Sequence, residues 1–177
     1  MFERAGRSVT VALAALGIAV AVAAQAPPAT TTLTVSGNVA QPLTLSIDDL
    51  KRYPAHRFEY SLRGGMPGAA ASEPARHYTG CLLRDVLNAA KPTEGRPRDL
   101  RKSYVLASAS DGYEVVFSWA ELFVSPTGDA VFVVYERDGA PLADDEGRIA
   151  LVAVSDLRPA RHVKWLRALS LRTASAP

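Results

Sequence analysis

The N-terminal 24 residues decide how much of this chain is available to fold. Arg4 and Arg7 precede the uncharged stretch Val11 to Ala24, in which only Gly17 is not an apolar residue. A basic start, a short apolar run and small residues at its end read as a secretory signal peptide over residues 1–24. The run is too short to span a bilayer comfortably, and no stop-transfer pattern follows it. Cleavage after Ala24 is preferred to cleavage after Ala26, because Pro27 would then follow the scissile bond. The expected product is periplasmic or secreted and has no transmembrane segment.

Removing residues 1–24 from the 177 leaves 153, with 18 basic and 17 acidic groups. A chain of that length buries enough surface for one domain with one core. Near-neutral charge gives no footprint for nucleic acid. A single cysteine in an exported chain excludes an intramolecular disulfide framework and any multi-cysteine metal site. Stability must therefore come from packing.

Residues 25–32 are rich in Pro and Thr and predict a flexible linker, followed by a domain over 33–172 and a tail at 173–177. Within the domain, alternation at Leu33–Ser36 and Leu43–Leu45 predicts two strands separated by the Gly37-Asn38 break. Ser46 and Asp49 have capping-box spacing, and Tyr53-Pro54 keeps the helix they open short. Phe58, Tyr60 and Leu62 mark a half-buried strand, and residues 63–76 form a long Gly/Pro/Ala loop. The spacing of Leu82, Leu83, Val86 and Leu87 predicts an amphipathic helix over about 81–90, with a basic loop over 91–102. Further strands are expected at Tyr104–Ala109 and Tyr113–Phe117 around Asp111-Gly112, at Val131–Tyr135, at Ile149–Val154 and at Val163–Leu171. Ser118 and Glu121 form a second capping box. Trp119 and Trp165 are expected in or near the core. Strands outnumber the short helices without regular βαβ alternation, which argues for an α+β domain with a mixed β-sheet.

The chemistry-bearing residues are few. Cys81 would sit at the start of the 81–90 helix, where the helix dipole lowers a thiol pKa, although a lone cysteine more often serves as a small buried apolar residue. His56, His77 and His162 lack metal-ligand spacing. No nucleophile elbow, P-loop or dinucleotide fingerprint is present, and Asp144-Asp145-Glu146 lacks calcium-loop spacing and reads as a solvated turn.

Several segments nevertheless resemble, in order, the molybdopterin-binding domain of the sulfite oxidase family. They are Tyr78-Thr79-Gly80 running into Leu83-Arg84-Asp85-Val86-Leu87, Asp111-Gly112-Tyr113, Asp138-Gly139-Ala140-Pro141-Leu142, Gly147, and Ala160-Arg161-His162-Val163-Lys164-Trp165-Leu166. The resemblance covers residues 33–172 and implies a mixed α+β fold. In that family a cysteine thiolate upstream of the Tyr-x-Gly segment ligates molybdenum. Here that region is Phe58–Leu62 plus the following loop, without a cysteine, and Cys81 falls just after Gly80. The family also places a His-Gly-x-Pro-x-Arg-like stretch against the pterin; only Gly147 of it survives, and Leu151 cannot replace an arginine fork. Arg161 and Lys164 match the family and are the candidate anion-binding residues, with solvent-facing strand charges as the alternative. Exported cofactor-bearing members leave by the twin-arginine route, whereas Arg4 and Arg7 are not adjacent.

These observations lead to an expectation of a molybdopterin-domain fold without the metal cofactor, binding a small anionic ligand or a periplasmic redox protein. Two alternatives remain: an oxidoreductase holding molybdopterin through Cys81, and a non-catalytic subunit of a membrane redox complex.

Overall fold

The computed structural model describes residues 29–61, 74–93 and 99–174. The proposed signal peptide, the Gly64-Gly65 and Gly68 glycines and part of the basic loop lie outside these residues.

The chain begins with β1 (Thr32–Gly37) and β2 (Leu43–Ser46), an antiparallel pair. Gly37 closes β1 at φ 92°, and an added Cβ would stand 2.1 Å from the Leu171 carbonyl oxygen, so only glycine fits this turn. Ser46 caps α1 (Ile47–Leu50) in a full capping box: its hydroxyl accepts from the Asp49 amide, and the Asp49 carboxylate accepts from the Ser46 amide. The helix stays at four residues, as Pro54 requires.

Next come β3 (His56–Tyr60) and β4 (Arg76–Leu82), followed by α2 (Leu83–Ala89). The expected 81–90 helix thus starts two residues late. Gly80 and Cys81 pair with Val134 and Val133, and that ladder carries the chain as a strand through Leu82. Strand β4 itself carries no clear alternation, because Gly80 replaces a side chain where a Cβ would stand 2.3 Å from the Val133 carbonyl oxygen. Strands β5 (Ser103–Ala109) and β6 (Glu114–Ser118) form a hairpin, with the Tyr113 amide donating to Asp111 Oδ1 at 2.8 Å in its turn. Ser118 and Glu121 then cap α3 (Trp119–Phe123) reciprocally. The chain ends with β7 (Val131–Arg137), β8 (Ala140–Pro141), β9 (Ala150–Ala153) and β10 (Leu166–Thr173).

The fold class is α+β as expected, but the strands form two sheets rather than one. The first, β2-β1-β10-β5-β6, is mixed because the first and last strands run parallel. The second is antiparallel: β7 carries β4 and then β3 on one edge, and β9 and β8 along the other. Periodicity specifies each strand but not its long-range partner, which is why the division into two sheets is not visible in the pattern.

The two sheets and α2 share one main core, which includes Leu33, Leu87, Phe117, Val133, Leu151 and Leu169. The second sheet is apolar on both faces. Alternation sends Cys81, Val131, Val133 and Tyr135 into the main core, and sends Tyr78, Leu82, Phe132 and Val134 into a smaller cluster with Phe58 and Tyr60. Trp119 is buried and stacks on Phe123 at 3.8 Å. Trp165 packs against the core half-buried; it lies in the turn before β10, at φ 49°, not within the strand.

The described ends of the chain are held to the domain by backbone contacts. At the described end of the expected flexible linker, Thr30 is buried and its amide donates to the Gly147 carbonyl at 3.0 Å. At the other end, Thr173 completes β10 and the Ala174 amide donates to Lys102.

Candidate functional site

A cleft of about 390 Å³ opens where the end of β3 meets the segment after β9. Glu59, Tyr60 and Ser61 supply one wall, and Ser155, Asp156, Leu157, Arg158 and Pro159 the other. Leu157, on the second wall, is 87% exposed. The first wall comes from the segment that, by the family resemblance, would carry the metal-binding thiolate; none of its described residues is a cysteine.

Cys81 is far from this setting chemically. It is fully buried in the main core, whereas the cleft residue Tyr60 packs with the cluster on the opposite face of the second sheet. Burial pushes the Cys81 thiol up to about 12, so it is protonated at neutral pH. Cys81 is the small buried apolar residue that a lone cysteine more often is; the alternative of helix-dipole activation does not arise, because Cys81 is a strand residue two positions before α2.

Arg161 stands behind the cleft, not in its wall. Its Nε and Nη2 donate to the two Asp156 oxygens at 2.8 and 2.5 Å, and its Nη1 donates to Glu121 Oε1 at 2.9 Å. The guanidinium also lies over the Phe117 ring at 4.5 Å, a cation–π contact. This is the bidentate fork geometry in which arginine binds an external carboxylate or phosphate, filled here by the chain's own acids. The Asp156 hydrogen bonds are the main reason the Arg161 pKa is raised. Burial alone would raise the Glu121 carboxyl, but the Ser118 hydrogen bonds, followed by Arg161, outweigh it and hold Glu121 below the usual range.

His162 follows directly. Its ring meets Tyr60 edge-on at 5.8 Å, and neither ring nitrogen has a hydrogen-bond partner among the described residues. Burial, then Lys164, lowers its pKa to about 4, so it is neutral at physiological pH. Lys164 lies half-buried in the turn before β10 and does not line the cleft. Tyr60 is pushed up to about 12, mainly by burial and then by Tyr78 and Asp156.

The other sequence candidates have structural duties. The ring of His56 lies 5.6 Å from Phe132, and the backbone of His77 donates to Asp138. The Asp144-Asp145-Glu146 turn is solvated only in part. Asp144 and Asp145 are exposed, but Glu146 is buried against Arg137 at 2.6 Å. No group of three or more metal-ligating side chains occurs among the described residues, and no described helix is long and apolar enough to cross a membrane.

Gly147 explains its own survival. At φ 86° it sits beneath Trp165, and an added Cβ would stand 2.3 Å from the Trp165 Cα. The Trp165 amide donates to the Glu146 carbonyl, and its indole Nε1 to the Asp144 carbonyl at 2.9 Å. Sequence reasoning missed Asp156: its five-residue separation from Arg161 matches no helical ladder, so no local rule pairs them.

The oxidoreductase molybdopterin binding domain description matches residues 19–177. The mitochondrial sulfite oxidase of Mus musculus is 30% identical over 155 residues, and that of Rattus norvegicus is 29% identical over 153. Each comparison covers 75% of this chain but only 27% of the relative. In fold, the sulfane dehydrogenase SoxCD of Paracoccus pantotrophus superposes with a TM-score of 0.62 at 22% identity, over 82% of this chain and 39% of that one.

Proposed function

Because the chain belongs to the oxidoreductase molybdopterin-binding domain family, we propose that it keeps the family's fold without the molybdenum cofactor. Its cleft between β3 and the Val154–Pro159 segment then serves as a binding site for a small molecule. The observation that carries this reading is the position of the only cysteine. A cysteine that ligates molybdenum does so as a thiolate open to the metal. Cys81 is a buried thiol on the far face of the sheet from the cleft.

Arg161 supports the same reading, since two carboxylates occupy the fork that would otherwise hold an anionic group of the cofactor. The cofactor's donor set and the described cleft residues therefore do not fit each other, and no redox step is assigned to the site. The matching motif residues have a sufficient reason in packing, as Gly147 beneath Trp165 illustrates.

The N-terminal segment supports export to the periplasm or beyond.

Cys81→Ser separates this reading from an enzyme that holds its cofactor through that sulfur. The substitution is expected to cost about 1–3 kcal/mol, because it buries a hydroxyl in an apolar core. The metal and small-molecule content of the purified protein is expected to stay unchanged. Bound molybdenum that disappears with the sulfur would overturn the reading.

A further inference from the structure

Asp156 belongs to two structures at once: it lines the cleft, and it is the bidentate partner of Arg161. Both side chains are largely removed from solvent, at 22% exposure for Arg161 and 17% for Asp156. An arginine in this position is the natural receptor for a phosphate or carboxylate arriving through the cleft, because its planar fork presents two parallel donors. Here the Asp156 carboxylate takes those two donors, Nε and Nη2. Glu121 takes Nη1 from the opposite quarter, and Phe117 covers one face of the guanidinium. Elsewhere in the cleft wall Glu59 and Arg158 carry opposite charges, so the wall itself does not decide between anions and cations, and the Arg161 subsite does.

We propose that Asp156 is the specificity-determining residue of the cleft: it acts as a built-in anion that closes the Arg161 subsite to a phosphate or carboxylate group of a ligand. The replacement of a bound anion by a side chain of the same chemistry also accounts for the retention of Arg161. Without a partner, the half-buried guanidinium would be an uncompensated charge. With Asp156 and Glu121 in place, it is held by three hydrogen bonds.

Inorganic phosphate is the probe. Asp156→Asn keeps the shape of the side chain but removes its charge, leaving one carboxylate on Arg161. Phosphate is expected to bind this variant about tenfold or more tightly than the parent, the size of one charge-assisted hydrogen bond. The gain is expected to vanish in Asp156→Asn combined with Arg161→Gln. In the parent protein, the nuclear magnetic resonance signal of the Arg161 Nε–H is expected to stay in place as phosphate is added. A folded Asp156→Asn protein with no gain would overturn the proposal, as would a parent whose Arg161 signal moves with phosphate. If Asp156→Asn does not fold, the parent's signal alone decides. The proposal builds on the cofactor-free reading but is tested apart from it: molybdenum content decides that reading, and phosphate binding decides this one.

Discussion

Replacing Gly147 with alanine is expected to destabilise the protein by about 3 kcal/mol or more, and to do so without any ligand being involved. Two costs combine. A residue with a Cβ at φ 86° pays roughly 1–2 kcal/mol for the left-handed conformation. The added carbon would also stand 2.3 Å from the Trp165 Cα and 2.5 Å from its amide nitrogen, which the backbone can relieve only by moving. That movement would break the clasp in which Thr30, Gly147 and Trp165 hold the 143–148 turn. Gly139→Ala is the control: its φ is 80°, but open space surrounds the new carbon, so about 1 kcal/mol is expected. Chemical denaturation of the two variants measures the difference. Equal, small losses would show that the clasp is not what retains Gly147.

Acid is expected to weaken the fold through His162. Burial and Lys164 lower its pKa from the ordinary 6.5 to about 4, so the unfolded chain binds the proton more tightly than the native protein does. Stability therefore rises with pH across this window: it is intact above about pH 6.5 and falls progressively toward pH 4. The full loss is up to roughly 3 kcal/mol, since each tenfold difference in proton affinity between the two states is worth about 1.4 kcal/mol. Tyr60 meets the imidazole edge-on through its ring, and the Lys164 charge opposes a second positive charge there. His162→Phe is expected to flatten the stability profile between pH 6.5 and 4.5. A parent protein equally stable at both ends of that range would contradict the assignment.

Local chemistry was legible in the sequence where local rules govern it. The two capping boxes, the Asp111-Gly112 hairpin, the central strand at Val131 and the α+β class all follow from spacing and turn residues. Cys81 shows where such rules stop. Its neighbours Leu83, Val86 and Leu87 have helical spacing, and the residue itself was drawn into β4 by pairing with Val133, fifty-two positions away. The same limit applies to the site. Arg161 and Lys164 were visible as matches to a family segment, yet what Arg161 does depends on Asp156 and Glu121, which no periodicity joins to it. Glu146 illustrates the converse: within a run of three acids that reads as solvent-facing, it is buried because Arg137 reaches it across the β7–β8 turn.

The retained motif thus divides by role. Gly80, Gly147 and Trp165 hold backbone segments in contact, and Arg161 joins the cleft wall to α3 through its two carboxylates. Each is explained by the fold itself, while the groups a metal centre would add are missing from the described cleft. The most direct test is the molybdenum content of the protein purified from its native compartment, measured together with the fluorescence of released pterin. Far less than one molybdenum per chain, and no pterin signal, is the expected result. Stoichiometric molybdenum with pterin would contradict the cofactor-free reading.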